Sequence, residues 1–306
     1  MESNVLLSKY SAYKIGGLAR YFFQPKDVEE IKEVLKNKHK KIFILGGGTN
    51  VLFDDKGFNG LVLKPDFKGL KIKDNYIIAG ASVLMSELVA FAADSKLSGL
   101  EWAGGLPGTV GGAIRGNAGA FMEEIKDSIK EVTSISISPS FKIKKRNAKE
   151  CGFDYRSSIF KKEDGAEIIL EAVFELKKGK TKKEIWMATE EKIKYRLERH
   201  PLDYPNVGSI FKNIPAKFCS HLDIEKLNLK VKTDPLPVIP TAALIARAKL
   251  PGISFGGAMI SPKHANFIVN VLNASSQDVK KLIEFTKKEV RKNFQVNLEE
   301  EIKMVN

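Results

Sequence analysis

The chain has 306 residues, more than one hydrophobic core comfortably serves, so about two domains are expected. Hydrophobic residues make up 43% and charged residues 28%, which excludes extended disorder. The longest uncharged stretches, 102–114 and 235–246, are too short and too rich in glycine or proline to span a bilayer. Lysine and arginine total 50 against 37 aspartates and glutamates, a net charge of +13. That excess suits anionic partners and equally suits a lysine-rich proteome. Its clusters, Lys142, Lys144, Lys145, Arg146 and then Lys177 to Lys183, have little aromatic interleaving, which argues against nucleic acid. Cys151 and Cys219 form neither a disulfide framework nor a metal-ligand spacing. The N-terminus has no basic start followed by an apolar run, so a reducing, cytoplasmic setting is expected.

In chain order, Asp27 after Pro25 predicts a helix start, with Val28, Ile31, Val34 and Leu35 as its apolar stripe. Residues 41–45 read as a short buried strand that ends at Gly46-Gly47-Gly48-Thr49-Asn50, and Val51-Leu52-Phe53 resume the apolar run. A helix is expected over 84–97, with Leu84, Leu88, Phe91 and Ala92 on one face. Glycine density then predicts a loop, without helix or strand, from 104 to 119. Residues 132–176 read as strands. The lysine run 177–183 is a linker or hairpin, and an amphipathic helix over 183–199 stops before Pro201. A proline-rich loop at 234–240 leads to a short helix at 241–248. A last helix begins near Ser276, with Val279, Leu282, Ile283 and Val290 as its stripe, and an alternating strand over 296–305 closes the chain. The change in character near 180 is the expected domain boundary.

Two common nucleotide motifs fail. The dinucleotide fingerprint has Gly46 and Gly48, but Val51 stands at its third glycine. The phosphate loop has Gly179-Lys180-Thr181, but Phe174 stands at its first glycine. What remains is a pair of glycine-rich loops, 46–50 and 104–119. Such loops expose successive main-chain N–H groups, so a diphosphate would be held by amides rather than by lysines. Either loop alone could equally be a tight turn; two in one domain favour a ligand.

The motifs around these loops carry a resemblance. Ile15-Gly16-Gly17, Gly46-Gly47-Gly48-Thr49-Asn50-Val51-Leu52, Gly105-Leu106-Pro107-Gly108-Thr109-Val110-Gly111-Gly112-Ala113 and Asn117-Ala118-Gly119-Ala120 come first. Phe153-Asp154-Tyr155-Arg156-Ser157-Ser158-Ile159-Phe160-Lys161, Gly208-Ser209-Ile210-Phe211-Lys212-Asn213, Gly256-Gly257-Ala258, His264-Ala265-Asn266-Phe267 and Leu298-Glu299-Glu300-Glu301-Ile302 follow. In kind and order they resemble the UDP-N-acetylenolpyruvoylglucosamine reductase family across nearly the whole chain.

The resemblance implies an α+β architecture. Residues 1–180 would form an FAD-binding module of the vanillyl-alcohol-oxidase (PCMH) type, in lobes of about 1–62 and 63–180. Residues 181–306 would form an α+β substrate-binding domain. It also implies a reaction of peptidoglycan precursor synthesis, in which NADPH reduces a non-covalent FAD and the enolpyruvyl group of a UDP-sugar is then reduced to a lactyl ether. Small molecules would be its partners, with no nucleic acid and no membrane, and a monomer is favoured.

Site residues follow by position. Gly46, Gly47, Gly48, Thr49, Asn50, Gly105, Pro107, Gly108, Thr109, Gly111, Gly112, Asn117 and Gly119 would hold the cofactor. Tyr155, Lys212 and Asn213 would contact the UDP-sugar. Arg156 would hold the substrate carboxylate and stabilise the enolate, Ser209 would deliver the proton, and Glu301 would assist Arg156. The strand pattern leaves Glu301 open, because the apolar alternation puts Glu300 on the inner face instead. His264 reads as a core or hydrogen-bonding histidine, and His39, His200 and His221 make no cluster, so no metal is expected. Phe121, Ile214 and Ala246 depart from the family's usual residues, and 216–240 is an insertion relative to its shortest members. Two rivals remain: an FAD-dependent oxidase of the same fold acting on a sugar or hydroxy acid, and a basic nucleotide- or nucleic-acid-binding protein without catalysis. A histidine tether for FAD has no candidate between His39 and His200.

Overall fold

The structure is a computed structural model that describes residues 1–36, 41–137, 140–233 and 236–306. His39 and the start of the proline-rich stretch, Asp234 and Pro235, lie outside the described residues. Contacts divide the chain into two units: Met1–Val5, Ala19–Gly47 and Asn59–Arg196 in the first, Leu6–Leu18, Gly48–Phe58 and Leu197–Asn306 in the second.

The first unit holds two sheets. One orders Glu2–Leu6, Leu18–Phe23, Phe58–Leu63 and Ile42–Ile44, the last two strands running parallel with Ile42 opposite Leu61. The helix Val28–Lys36 buries Ile31 and Val34 in a core with Leu61, Leu63, Ile135 and Ile168. Its start is the one read from sequence: Asp27 Oδ1 accepts the Glu30 N–H at 2.8 Å. The other sheet is antiparallel, in the order Ile143–Asn147, Ile129–Ser136, Glu167–Glu175, Tyr76–Gly80, Leu70–Lys73. Its core includes Ile77, Leu88, Trp102, Ile114, Val132 and Phe174.

A correction falls in the glycine-dense segment. Val110–Gly116 is a helix despite its glycines. Thr109 caps it, its side chain accepting from the Gly112 N–H, while Val110, Ala113 and Ile114 are buried. A Cβ on Gly111 would lie 3.1 Å from the Ala81 Cβ, so the small residue permits the close approach. Tertiary packing overrides the low helix propensity of glycine here. The stretch read as strands over 132–176 is also interrupted by the short helix Ile159–Lys162.

The helix Lys182–Arg199 begins near the boundary expected at 180, but its residues through Arg196 belong to the first unit. Ile185, Thr189 and Arg196 are its buried residues, and Arg196 Nε donates to the Gly104 carbonyl at 2.9 Å.

The second unit gathers chain ends and insertions. Val51–Phe53 pairs in parallel with Lys303–Val305, which draws residues 48–58 away from the N-terminal unit. The closing strand is only these three residues rather than 296–305. Two small antiparallel sheets join Ile214–Pro215, Pro237–Ile239 and Lys232–Thr233, and Ser254–Phe255, Ala258–Ile260 and Ile268–Asn270. Helices Thr241–Arg247 and Ser276–Phe294 pack Leu244, Ile245, Val279, Leu282, Ile283 and Val290 into the core. Ser275 and Asp278 form a capping box on the long helix. Asp55 adds to that end, accepting the Ser276 N–H at 2.7 Å and its hydroxyl at 2.8 Å.

Candidate functional site

In the first unit, the two glycine loops meet. A Cβ on Gly46 would lie 2.9 Å from Thr109 Oγ1, and one on Gly47 would lie 2.9 Å from the Gly108 Cα and 3.4 Å from the Thr109 nitrogen. The loops therefore touch main chain to main chain. Among the described residues, the N–H groups of Gly46, Gly47 and Thr109 donate to no protein acceptor. Gly46 and Thr109 line a cleft, and adjacent main-chain amides of this kind form a concavity that suits a diphosphate. The cleft has a cavity volume of about 90 Å³ and is lined by Gly46, Thr109, Gly111, Gly112, Arg115 and Glu167 among others.

Gly111 and Gly112 contribute differently. Their N–H groups are used, toward the Ala81 carbonyl at 2.8 Å and Thr109 Oγ1 at 3.4 Å. What they offer the cleft is the absence of side chains. This arrangement fits the flavin that the resemblance implies, with Gly46, Gly47 and Thr109 as the amide donors. Gly105 and Pro107 are exposed on the segment leading to Gly108.

A second cluster forms around Arg156. Asp154 and Ser157 exchange main-chain hydrogen bonds at 3.0 Å, and Arg156 has φ +53°. Its guanidinium donates from NH2 to the Gly119 carbonyl at 2.7 Å and lies 5.1 Å from the centroid of the Tyr155 ring. Asn117 and Gly119, expected at the cofactor, serve this turn. Buried Asn117 donates from Nδ2 to the Asp154 carbonyl at 3.0 Å and accepts the Lys126 N–H at 3.2 Å. Arg156 NH1 also faces Glu124 Oε1 at 3.8 Å, and Glu124 is only 1% exposed.

The second unit brings together Asn50, Ser209, Lys212, Asn213 and Glu301. An antiparallel bridge joins Phe211 to Glu300, the Glu301 N–H donates to the Ile210 carbonyl at 2.8 Å, and the Lys212 N–H donates to the Glu299 carbonyl at 2.9 Å. Ser209 is thus one residue from the position opposite Glu301. Asn50 Nδ2 donates to the Glu301 carbonyl at 3.1 Å. The Lys212 ammonium pairs with the exposed Glu299 carboxylate. Asn213 Oδ1 accepts the Thr241 N–H at 3.2 Å, so part of its amide anchors the start of Thr241–Arg247.

Two residues without a role in the sequence reading emerge. Asn266 is buried beneath the Ser209 segment: its Oδ1 accepts the Phe211 N–H at 3.0 Å and its Nδ2 donates to the Phe211 carbonyl at 2.8 Å. Its place in His264-Ala265-Asn266-Phe267 is the signal that could have marked it. Glu124 is the other. His264 packs against His200 and Phe267, and burial keeps its pKa below the ordinary histidine value. A second hollow, lined by Lys287, Lys288, Arg291 and Lys292 with Glu284, Asn297 and Leu298, contains none of the sequence-predicted residues. Among the described residues, no group of three or more His, Cys, Asp and Glu side chains is placed to hold a metal ion. No helix there is long and apolar enough to cross a membrane.

Comparison with known proteins matches two family models. Residues 19–136 match the model of an FAD binding domain. Residues 200–305 match that of the UDP-N-acetylenolpyruvoylglucosamine reductase C-terminal domain. The UDP-N-acetylenolpyruvoylglucosamine reductase of Prochlorococcus marinus is 37% identical over 99% of this chain and 97% of its own length. That of Carboxydothermus hydrogenoformans is 38% identical over 99% and 93%. The solved UDP-N-acetylenolpyruvylglucosamine reductase of Thermus caldophilus superposes with a TM-score of 0.79 at 28% identity, covering 99% of this chain and 98% of that one.

Proposed function

The chain belongs to the UDP-N-acetylenolpyruvoylglucosamine reductase family of FAD-binding oxidoreductases, and we propose that it reduces UDP-N-acetylglucosamine enolpyruvate to UDP-N-acetylmuramate at the expense of NADPH. This is the reductive step of peptidoglycan precursor synthesis. The observation that carries the reading is the amide cradle at Gly46, Gly47 and Thr109 in a chain that also holds a one-fifth-exposed arginine in a constrained turn. Residues 1–180 are proposed to serve the cofactor and 181–306 the substrate. The enzyme is proposed to act as a cytoplasmic monomer on small molecules alone.

When bound, FAD supplies the two-electron chemistry that links NADPH to the enolpyruvyl double bond. The protein's share is positioning and charge. Gly46, Gly47 and Thr109 offer N–H groups to the diphosphate, and Gly108, Gly111 and Gly112 keep side chains out of its way. Arg156 binds the enolpyruvyl carboxylate. As that group is reduced, negative charge grows on the carbon bearing the carboxylate, and a guanidinium can share it through two donors.

Ser209 hands a proton to that carbon. A hydroxyl is a weak acid, so its placement on the segment clamped by Asn266 matters more than its intrinsic acidity. Glu301, fixed through main-chain bonds to Ile210 and Asn50, assists at the enolate. Lys212 takes the UDP-sugar phosphates. Its present partner Glu299 is 72% exposed, and so exposed a pair is weak enough for a phosphate to displace. Tyr155 lies along Arg156 and contacts the sugar.

The visible spectrum of the purified protein tests this reading. A flavin band should bleach with anaerobic NADPH and return when UDP-N-acetylglucosamine enolpyruvate is added. A band that NADPH leaves unchanged would point to an oxidase, and no flavin uptake from added FAD would overturn the reading.

A further inference from the structure

We propose that the basic hollow on the last long helix is a further anion site, suited to the di- or triphosphate group of a soluble small molecule. It is built from none of the residues assigned to the flavin or the UDP-sugar.

The sequence sets the hollow up. Within Ser276–Phe294, Glu284, Lys287, Lys288, Arg291 and Lys292 recur at three- and four-residue intervals and so share one face. Val279, Leu282, Ile283 and Val290 turn to the core instead. The chain turns at Gln295, which has φ +57°. The segment that follows comes back beside the helix, where Glu300 reaches Lys287 at 2.8 Å. Asn297 and Leu298 on that segment complete the lining of a hollow of about 610 Å³. That volume falls in the range of roughly 300–1,000 Å³ usual for small-molecule sites.

Charge gives the sign of the ligand. The carboxylates of Glu284 and Glu300 both contact Lys287, at 3.2 and 2.8 Å. Among the described residues, Lys288, Arg291 and Lys292 make no ion pair and no side-chain hydrogen bond. The basic cluster on Ile143–Asn147 behaves differently. There Lys144 and Arg146 pair with Glu167, and Lys145 pairs with Glu131. On the helix, three cations at three- and four-residue spacing repel one another, and an anion bridging them removes that cost. Lys288 to Lys292 spans about 6 Å of helix, which the oxygens of a diphosphate can bridge. Arg291 adds a planar fork of donors, and Asn297 adds an amide. The lining has no aromatic ring for a base to stack on, which argues against single-stranded nucleic acid.

The test is calorimetric titration of the FAD-loaded enzyme with sodium pyrophosphate at low ionic strength. FAD loading removes the amide cradle as a competing phosphate site. The parent is compared with Lys288→Gln/Arg291→Gln/Lys292→Gln and with Lys212→Gln. Glutamine is about as good a helix former as lysine or arginine, so the triple change removes charge rather than fold. The parent should bind pyrophosphate with a Kd below about 1 mM, and affinity should fall as salt rises. The triple variant should bind about tenfold more weakly or worse, and Lys212→Gln should stay within about twofold. NADPH bleaching and the return of the band should stay within about twofold in the triple variant. Binding that survives the triple change, or that Lys212→Gln abolishes, overturns the proposal. Orthophosphate bound as tightly as pyrophosphate also overturns it, since the hollow would then not select a diphosphate. Polyuridylate captured more tightly than pyrophosphate, and released by the triple change, would make the hollow a nucleic-acid surface instead.

Discussion

Arg146 grips Glu167 with both arms of its guanidinium, NH1 to Oε2 at 2.7 Å and NH2 to Oε1 at 2.8 Å. The two residues are not on neighbouring strands: Ile129–Ser136 runs between Ile143–Asn147 and Glu167–Glu175. The pair therefore ties three strands together, and Ser134 on the middle strand joins it by donating to Oε2 at 2.6 Å. Lys144 adds a second cation at 2.6 Å. Glu167 also lines the cleft beside the glycine loops, so this network supports one wall of the proposed cofactor site.

Acid stability should report that network. Burial pushes the Glu167 pKa up, but hydrogen bonds from Arg146, Lys144 and Ser134 outweigh it and bring it down to about 2. Because the folded pKa lies below the unfolded value, the stabilisation is complete above about pH 4.5 and is lost as pH falls toward 2. Glu167→Gln should cost about 2 kcal/mol near neutrality, with the largely covered Arg146 left uncompensated. It should also flatten the decline in stability between those two pH values. Urea melts of parent and variant across that range measure both effects, and parallel curves would sink the prediction.

Flavin retention should depend on the meeting of the two loops. A Cβ at Gly47 would sit 2.9 Å from the Gly108 Cα, a main-chain atom that cannot rotate away. Gly47→Ala should therefore part the loops and lower FAD affinity by about tenfold or more, a loss of about 1.4 kcal/mol. Stripping FAD from the parent should lower its Tm, and adding it back should restore the Tm by mass action. Gly47→Ala should regain the parent's Tm only at higher FAD concentration. Equal flavin content and equal Tm recovery would contradict the cradle.

Neither thiol should react in the folded protein. Cys151 and Cys219 are 0% and 1% exposed. Burial pushes the Cys151 thiol up to about 11 even though Arg146 pulls it down. Burial also raises Cys219. With little thiolate and no access, a disulfide reagent should titrate no thiol at neutral pH and both after denaturation. Rapid labelling of the native chain would contradict their burial.

Much of the architecture was written in local signals. Asp27 before a 3.6-residue stripe, and the stripe of Val279, Leu282, Ile283 and Val290 after Ser275, gave helices close to those observed. The segment Val110–Gly116 hid its helix because its stability comes from Ala81 and the Thr109 cap, not from propensity. The strand expected over 296–305 is split between two partners, an isolated bridge from Glu300 to Phe211 and the pairing of Lys303–Val305 with Val51–Phe53 some 250 positions earlier. Such pairings leave no local trace, and neither does the Asp55 bond to Ser276. The glycine loops and Arg156 could be found as motifs. Glu124 could have been found from alternation in Glu123-Glu124-Ile125, where one of two adjacent carboxylates must face inward.

The choice between Glu300 and Glu301, open on strand periodicity, becomes a contrast between a residue whose carboxylate pairs with Lys287 and one whose main chain is anchored on both sides. Glu300 contacts Lys287 at 2.8 Å, with both side chains about one-third exposed or less. Such a pair is worth up to about 1 kcal/mol of stability. Glu301 is held at its N–H by Ile210 and at its carbonyl by Asn50, one residue from the position facing Ser209. Glu300→Gln should therefore leave kcat within about twofold, a shift smaller than 1 kcal/mol. Glu301→Gln and Ser209→Ala should each lower kcat by about 10² or more, the scale of a lost proton-transfer group. Both should keep their FAD and still bleach with NADPH, because the step they serve comes after the flavin is reduced. Stopped-flow measurement of the two half-reactions separates these outcomes. An inactive Glu300→Gln beside an active Glu301→Gln would exchange their roles, and slow bleaching in Ser209→Ala would move Ser209 from proton delivery to cofactor binding.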